Sequence, residues 1–216
     1  MFKIIAFINS AIYPVLAIAL IPSILYAFYL EDYNFAYSLL LLLLITLLVT
    51  FVVRKKIVPS KQLTTIQGFA AVGISWIFIS LFGTLPYIFS NSNLSYIDIL
   101  FETISGFTTT GASILTDIES VNPALLLWRS ITQWLGGMGI VVLTISILPL
   151  LGSGGINLFK AESPGPTTDR LTPKFKDTAK LLWISYAALT LIETLLLYFS
   201  GLDVFTALNH SFTTLS

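Results

Sequence analysis

Ser105-Gly106-Phe107-Thr108-Thr109-Thr110-Gly111-Ala112 is the stretch on which the reading of the whole chain turns. It is small and rich in hydroxyls. A short apolar segment precedes it, residues 97–104, with acids at Asp98 and Glu102. About eleven helical residues at about 1.5 Å each cover only about half of a ~30 Å hydrocarbon core. Backbone that stops at mid-membrane persists only where protein buries it or where water and ions reach it. A half-helix followed by Thr108, Thr109, Thr110 and Gly111 therefore predicts an ion filter. The helix would aim the negative pole of its dipole at a cation. Gly111 would permit a torsion that turns a carbonyl inward. The plainer alternative is a polar re-entrant turn that only packs.

Composition sets the class. The 216 residues are 56% hydrophobic and 10% charged, with mean hydropathy +0.89. A soluble domain carries about 25% charged residues. The expectation is an all-α integral membrane protein. There is no cysteine, and His210 is the single histidine. That leaves little for a zinc site, a Cys–His pair or a Ser–His–Asp triad. No acid, base and nucleophile constellation points to an enzyme, and no metal or organic cofactor is expected. Net charge is zero, so nucleic acid is not an expected partner.

Five apolar runs follow in order: residues 2–30, 35–53, 69–89, 124–152 and 181–199. The first is too long for a signal peptide and has no small-residue cleavage site. Pro14 and Pro22 predict kinks, which packed membrane helices accept. Ser95, three residues ahead of Asp98, predicts a helix N-terminal capping pair. Residues 153–180 form a loop rich in Gly, Pro and charge. The stretch 152–155, where the run passes into this loop, lacks a P-loop's Lys-Ser/Thr ending and reads as flexible. With the N-terminus inside, ten of the eleven basic residues face the cytoplasm: Lys3, Arg54, Lys55, Lys56, Lys61, Lys160, Arg170, Lys174, Lys176 and Lys180. Only Arg129 lies near the outside. The positive-inside rule prefers this orientation, and the filter then opens from the outer face.

Residues 95–111 can be laid on 200–216 at a fixed offset of 105. Identities fall at Ser95/Ser200, Asp98/Asp203, Phe107/Phe212, Thr108/Thr213 and Thr109/Thr214. The capping pair and the Thr-Thr pair thus recur at the same spacing, and each copy follows a membrane span. The repeated unit is span, half-helix, hydroxyl-rich loop, span. The second copy has Ser216 where the first has Gly111.

These residues resemble a known family. Phe101-Glu102 and the stretch 105–112 are similar to the first pore loop of the TrkH-type membrane subunits of bacterial Trk potassium uptake systems. Arg129-Ser130-Ile131-Thr132-Gln133-Trp134-Leu135-Gly136-Gly137-Met138-Gly139-Ile140 resembles the span that follows it. Ala161-Glu162-Ser163-Pro164-Gly165-Pro166 resembles the family's cytoplasmic loop, and Asn209-His210-Ser211-Phe212-Thr213-Thr214 the start of its second pore loop. The first two spans fit the family's extra N-terminal helix pair. The resemblance implies potassium-selective transport by four span–pore–span units in one chain, in the bacterial or archaeal inner membrane. It implies K+ as the transported ion, membrane lipid around the chain, a homodimer, and a cytoplasmic ring of nucleotide-binding regulatory subunits. The expected divisions are an N-terminal helix pair at 1–60, a first repeat at 61–155, and a loop with the incomplete start of a second repeat at 156–216. The expected chain is a fragment of the pore-forming subunit that does not conduct alone. The alternative is a non-conducting module, or a decayed fragment that only assembles with other subunits.

Single residues follow from this frame. Potassium is expected at the backbone carbonyls of Thr109, Thr110 and Gly111, with Thr108 opening the filter. Gly136, Gly137 and Gly139 are either close-packing positions or a gate or hinge below the filter. Arg129 either snorkels to the outer interface or pairs with Glu102 to brace the loop. Glu193 is an intramembrane acid without a nameable partner. His210 is expected to pack within the second pore helix. The basic loop 160–180 would meet a regulatory partner or anionic lipid.

Overall fold

The computed structural model describes residues 2–56, 65–90, 94–118, 120–147 and 175–216. Among them the regular structure is helical: α1 (Phe2–Tyr29), α2 (Tyr33–Lys56), α3 (Thr65–Phe89), α4 (Tyr96–Phe107), α5 (Pro123–Ile147), α6 (Phe175–Phe199) and α7 (Val204–Thr214). Four of these contain a stretch long and apolar enough to cross a membrane: Ile12–Tyr29, Tyr33–Lys56, Val72–Phe89 and Lys180–Phe199. The remaining long helix, α5, has 25 residues, about 37 Å at ~1.5 Å per residue, and includes Arg129, Thr132 and Gln133. The expected run 124–152 forms α5 as far as Ile147. Its last residues, and the loop motif 161–166, lie outside the described residues.

The long helices form from near-continuous apolar runs, apolar around the whole helix rather than along one stripe. In α1, Leu16, Leu20, Ile24 and Ala27 are buried against Phe35, Ala36, Leu39 and Leu42 of α2. The opposite faces are apolar too: Ile18 and Leu25 on α1, and Leu41, Leu44 and Leu48 on α2, are exposed. A helix pair apolar on both sides suits a lipid surround. α1 runs on through Pro14 and Pro22.

Short closures set the turns. Leaving α1, Glu31 N–H donates to Phe28 O at 3.1 Å and Asp32 N–H to Ala27 O at 3.0 Å. This is the Schellman closure, with Glu31 left-handed at φ 61°. Asp32 then caps α2 by accepting from Phe35 N–H at 3.1 Å. The same carboxylate accepts from Asn122 Nδ2 at 2.8 Å. Asn122 in turn caps α5, whose first residue is Pro123, a position that needs no N–H donor. One acid thus ties the N-terminal pair to the helix that frames the pore loop.

The core of the first repeat lies where α3, α4 and α5 meet. Tyr87, Phe107, Leu125 and Trp128 are buried there. Trp128 Nε1 donates to Gly83 O at 3.2 Å. A Cβ on Gly83 would overlap Thr103 and lie 2.7 Å from the Phe107 ring, so the missing side chain lets α4 lie close on α3.

Candidate functional site

The half-helix α4 has twelve residues. It opens with a capping box: Asp98 N–H donates to Ser95 Oγ at 3.3 Å, and Ser95 N–H to Asp98 Oδ2 at 3.2 Å. It closes with a second Schellman motif. Thr109 N–H donates to Gly106 O and Thr110 N–H to Ser105 O, both at 3.0 Å. The left-handed position falls on Thr109, at φ 55°. A strained torsion of this kind costs about 1–3 kcal/mol, and a β-branched residue is poorly suited to it. The third such closure among the described residues, after α6, uses Gly201 at φ 104°. Gly111 follows at φ 72°. A Cβ there would meet only Gln133 Nε2, at 4.0 Å. The torsion, not the space, calls for glycine at this position.

Side chains then fasten the loop. Ser105 Oγ donates to Ala112 O at 2.5 Å, closing the segment that contains Thr108, Thr109, Thr110 and Gly111. Thr108 Oγ1 donates to Ile104 O at 2.8 Å and lies 2.8 Å from Thr110 Oγ1. Its one proton is spent on Ile104, so Thr110 is the donor in that pair.

Glu102 anchors the returning limb. It is fully buried, and its carboxylate takes three bonds. Ser113 Oγ and Ile114 N–H donate to Oε1 at 2.7 and 2.6 Å, and Arg129 Nε donates to Oε2 at 2.9 Å. The Arg129 side chain is 14% exposed. Arg129 therefore points into the protein and meets Glu102. Its carbonyl accepts from Thr132 Oγ1 at 2.6 Å, and a Cβ on Gly106 would lie 2.5 Å from that hydroxyl. Outside the return limb, a cavity of about 500 Å³ is lined by Ser90, Leu94, Leu115, Asp117, Ser120 and Asn122.

Gly136, Gly137 and Gly139 all lie inside uninterrupted α5. Gly136 abuts the Phe107 carbonyl at the end of α4, Gly137 abuts Tyr186 and Ser216, and Gly139 has only Trp76 nearby. His210 is exposed, with its carbonyl taken by Thr213 and Thr214. Glu193 is half-buried on α6.

The second half-helix, α7, corrects the equivalence of the two caps. Its N-cap is Asp203 itself, which accepts from Thr206 N–H at 3.0 Å. Ser200 donates instead to Leu196 O, at the end of α6. Gly201 spends those residues on closing α6, so α7 starts three positions later than the offset predicts. Short-range turn chemistry overrides the alignment here. The hydrogen bonds held at Asp203 set its carboxyl below the usual aspartate range, the Thr206 side chain first among them.

Ser113, the Ile114 N–H, Ser105 as a tie and Thr132 did not stand out in the sequence. The available signal was spacing. Ile99, Glu102, Thr103 and Gly106 recur at three and four residues, a single α4 face that is buried throughout.

Spans that flank a half-helix and a cross-tied, hydroxyl-rich return loop define a pore-loop membrane protein. The chain belongs to the TrkH family, described as "Cation transport protein", whose family model matches residues 34–216. It is 46% identical over 157 residues to the Trk system potassium uptake protein TrkH of Escherichia coli K12, covering 72% of this chain and 32% of that protein. The Trk system potassium uptake protein TrkG of the same organism is 41% identical over 157 residues. The crystal structure of the potassium transporter TrkH from Vibrio parahaemolyticus superposes with TM-score 0.80 at 29% identity, covering 98% of this chain and 42% of that one. The chain thus spans about a third of the length of the curated relatives it matches. It is a multi-pass membrane protein.

Proposed function

We propose that this chain forms the first wall of a potassium-conducting pore, as part of the pore-forming subunit of a Trk-type uptake system. Thr108, Thr109, Thr110 and Gly111 are the filter, and the carbonyls of Thr109, Thr110 and Gly111 replace the hydration shell of K+. The observation that carries this reading is the double left-handed torsion at Thr109 and Gly111, in a loop fastened at both ends by buried side chains. The Ile104, Ser105 and Gly106 carbonyls near the end of α4 are taken up by the cap, so the helix dipole acts on the ion chiefly through its field. Arg129 and Glu102 brace the loop. The chain carries an ion rather than transforming a substrate, and it needs no further cofactor.

The same reading places the N-terminus in the cytoplasm and the protein in the inner membrane, with the filter open to the outside. It divides the chain into the N-terminal pair (1–60), the first repeat (61–155) and the loop with the start of the second repeat (156–216). The partners are lipid, a second copy and a cytoplasmic nucleotide-binding ring. The names of the relatives, which are potassium uptake proteins, support the choice of ion. The test is potassium-limited growth of uptake-deficient cells. One strain expresses these 216 residues alone. A second expresses a chimera in which the chain replaces the matching part of the Escherichia coli relative. Rescue by the chimera only is expected. Rescue by neither would overturn the reading.

A further inference from the structure

Two neighbouring glycines on α5 have different partners: Gly136 meets the last residue of α4, and Gly137 meets Tyr186 of α6 and Ser216, two residues past α7. A Cβ on Gly136 would overlap the Phe107 carbonyl oxygen and lie 2.8 Å from its carbon. These are backbone atoms at the end of α4, directly before Thr108. A Cβ on Gly137 would lie 2.8 Å from Tyr186 Oη and 3.3 Å from Ser216 Cα. Ser216 follows the end of α7 and aligns with Gly111 at the repeat offset. Gly139, one position beyond Met138, would meet only Trp76, at an ordinary 3.8 Å.

The surroundings of the second contact are built rather than accidental. Trp134, one turn earlier on α5, stacks on Tyr186 at 5.3 Å and lies 5.5 Å from Phe212 of α7. Its Nε1 donates to Thr190 at 2.9 Å, and its carbonyl accepts from Tyr186 Oη at 3.3 Å. Trp134 thus joins α6 and α7 to the α5 face that presents Gly137. On the other side, Thr132 packs on Gly106 of α4. Over these two turns, one face of α5 holds the first half-helix and another holds the second.

We propose that Gly136 and Gly137 are positioning residues, adjacent seats on one rigid helix. Each receives the end of one pore helix, and together they set the separation of the first two pore loops. This deepens the transport reading and rests on it only for the selectivity readout below. An alanine at 136 cannot be accommodated by a rotamer change, because the opposing atoms are backbone. An alanine at 137 meets chiefly the far end of Tyr186, which the Tyr186→Phe substitution removes.

The test uses the chimera described above, with Gly136→Ala, Gly137→Ala, Gly137→Ala/Tyr186→Phe and Gly139→Ala. Hydrogen exchange gives a readout that needs no transport. Gly137→Ala should speed exchange at residues 211–216 and leave 105–111 as in the parent. Tyr186→Phe in the same chain should restore part of the protection, because the 3.3 Å approach to Ser216 Cα remains. Gly136→Ala should do the reverse, opening 105–111 first. Gly139→Ala should match the parent in both segments. If Gly136→Ala fails to fold, the Gly137→Ala pair still decides the matter. Equal effects on both segments, or none, would overturn the twin-seat proposal. In a transporting parent, Gly137→Ala should also lower the K+ over Na+ transport ratio several-fold, with partial recovery by Tyr186→Phe. An unchanged ratio would show that the seat does not set selectivity. A parent that does not transport would count against the function proposed above, while the exchange data would still judge the seats.

Discussion

Removing the Glu102 carboxylate should loosen the filter loop from its return limb. Glu102 is fully buried, takes three hydrogen bonds, and neutralises an arginine that is only 14% exposed. Glu102→Ala therefore strands a nearly buried charge. Breaking a pair in this way costs about 3–5 kcal/mol. The Ile114 N–H also loses its acceptor, worth about 1–3 kcal/mol where water cannot replace it. Partial exposure of Arg129 pulls the sum toward the lower figures, so a loss of about 4 kcal/mol is expected. The assay is a denaturant titration in detergent, followed by the fluorescence of the four tryptophans. Arg129→Ala and the double Ala variant complete a cycle, with a coupling of about 0.5–3 kcal/mol expected. Swapping the charges, Glu102→Arg with Arg129→Glu, should improve on either reversal alone but not reach the parent. An arginine at 102 cannot accept from Ser113 or Ile114. A Glu102→Ala variant as stable as the parent, or a swap no better than the worse single reversal, would refute the brace.

Other predictions follow from the torsions and the caps. Thr109→Gly should stabilise the chain by about 1–2 kcal/mol, because it relieves a left-handed β-branched residue. In the transporting chimera it should lower the K+ over Na+ flux ratio; a gain in stability with unchanged selectivity would leave Thr109 a purely structural cap. Gly111→Ser has room for its side chain but not the torsion, and should cost about 1–2 kcal/mol. The flux ratio should fall with it. Asp203 titrates below the ordinary aspartate value of about 3.9. A lowered carboxyl stabilises α7 above that value, and the stabilisation is lost as pH falls through the lowered one. Exchange at the Thr206 amide should therefore accelerate in acid beyond its intrinsic pH trend, and Asp203→Asn should remove that dependence.

Much of the architecture was legible because lipid makes sequence patterns coarse. Apolar runs gave the long helices, and a run too short to span gave α4. Ser95 and Asp98 announced their cap because both partners are local. Glu102 and Arg129 were legible as charges that need partners, yet the bonds to Ser113 and Ile114 depend on how the chain returns after Gly111. The second cap was misassigned for a related reason. Ser200 and Asp203 repeat the letters of Ser95 and Asp98, but Gly201 takes the local backbone for the closure of α6. The glycines of α5 could be seen as small residues. Which helix end each one receives is a tertiary fact that no spacing encodes.

The central claim is that the carbonyls of Thr109, Thr110 and Gly111 coordinate the transported ion. Anomalous scattering from crystals of the chimera grown in rubidium tests it most directly. The account predicts a rubidium peak within coordination distance of those carbonyls, lost in Gly111→Ser. Well-ordered density for the loop with no peak beside it, or a peak unaffected by Gly111→Ser, would contradict it.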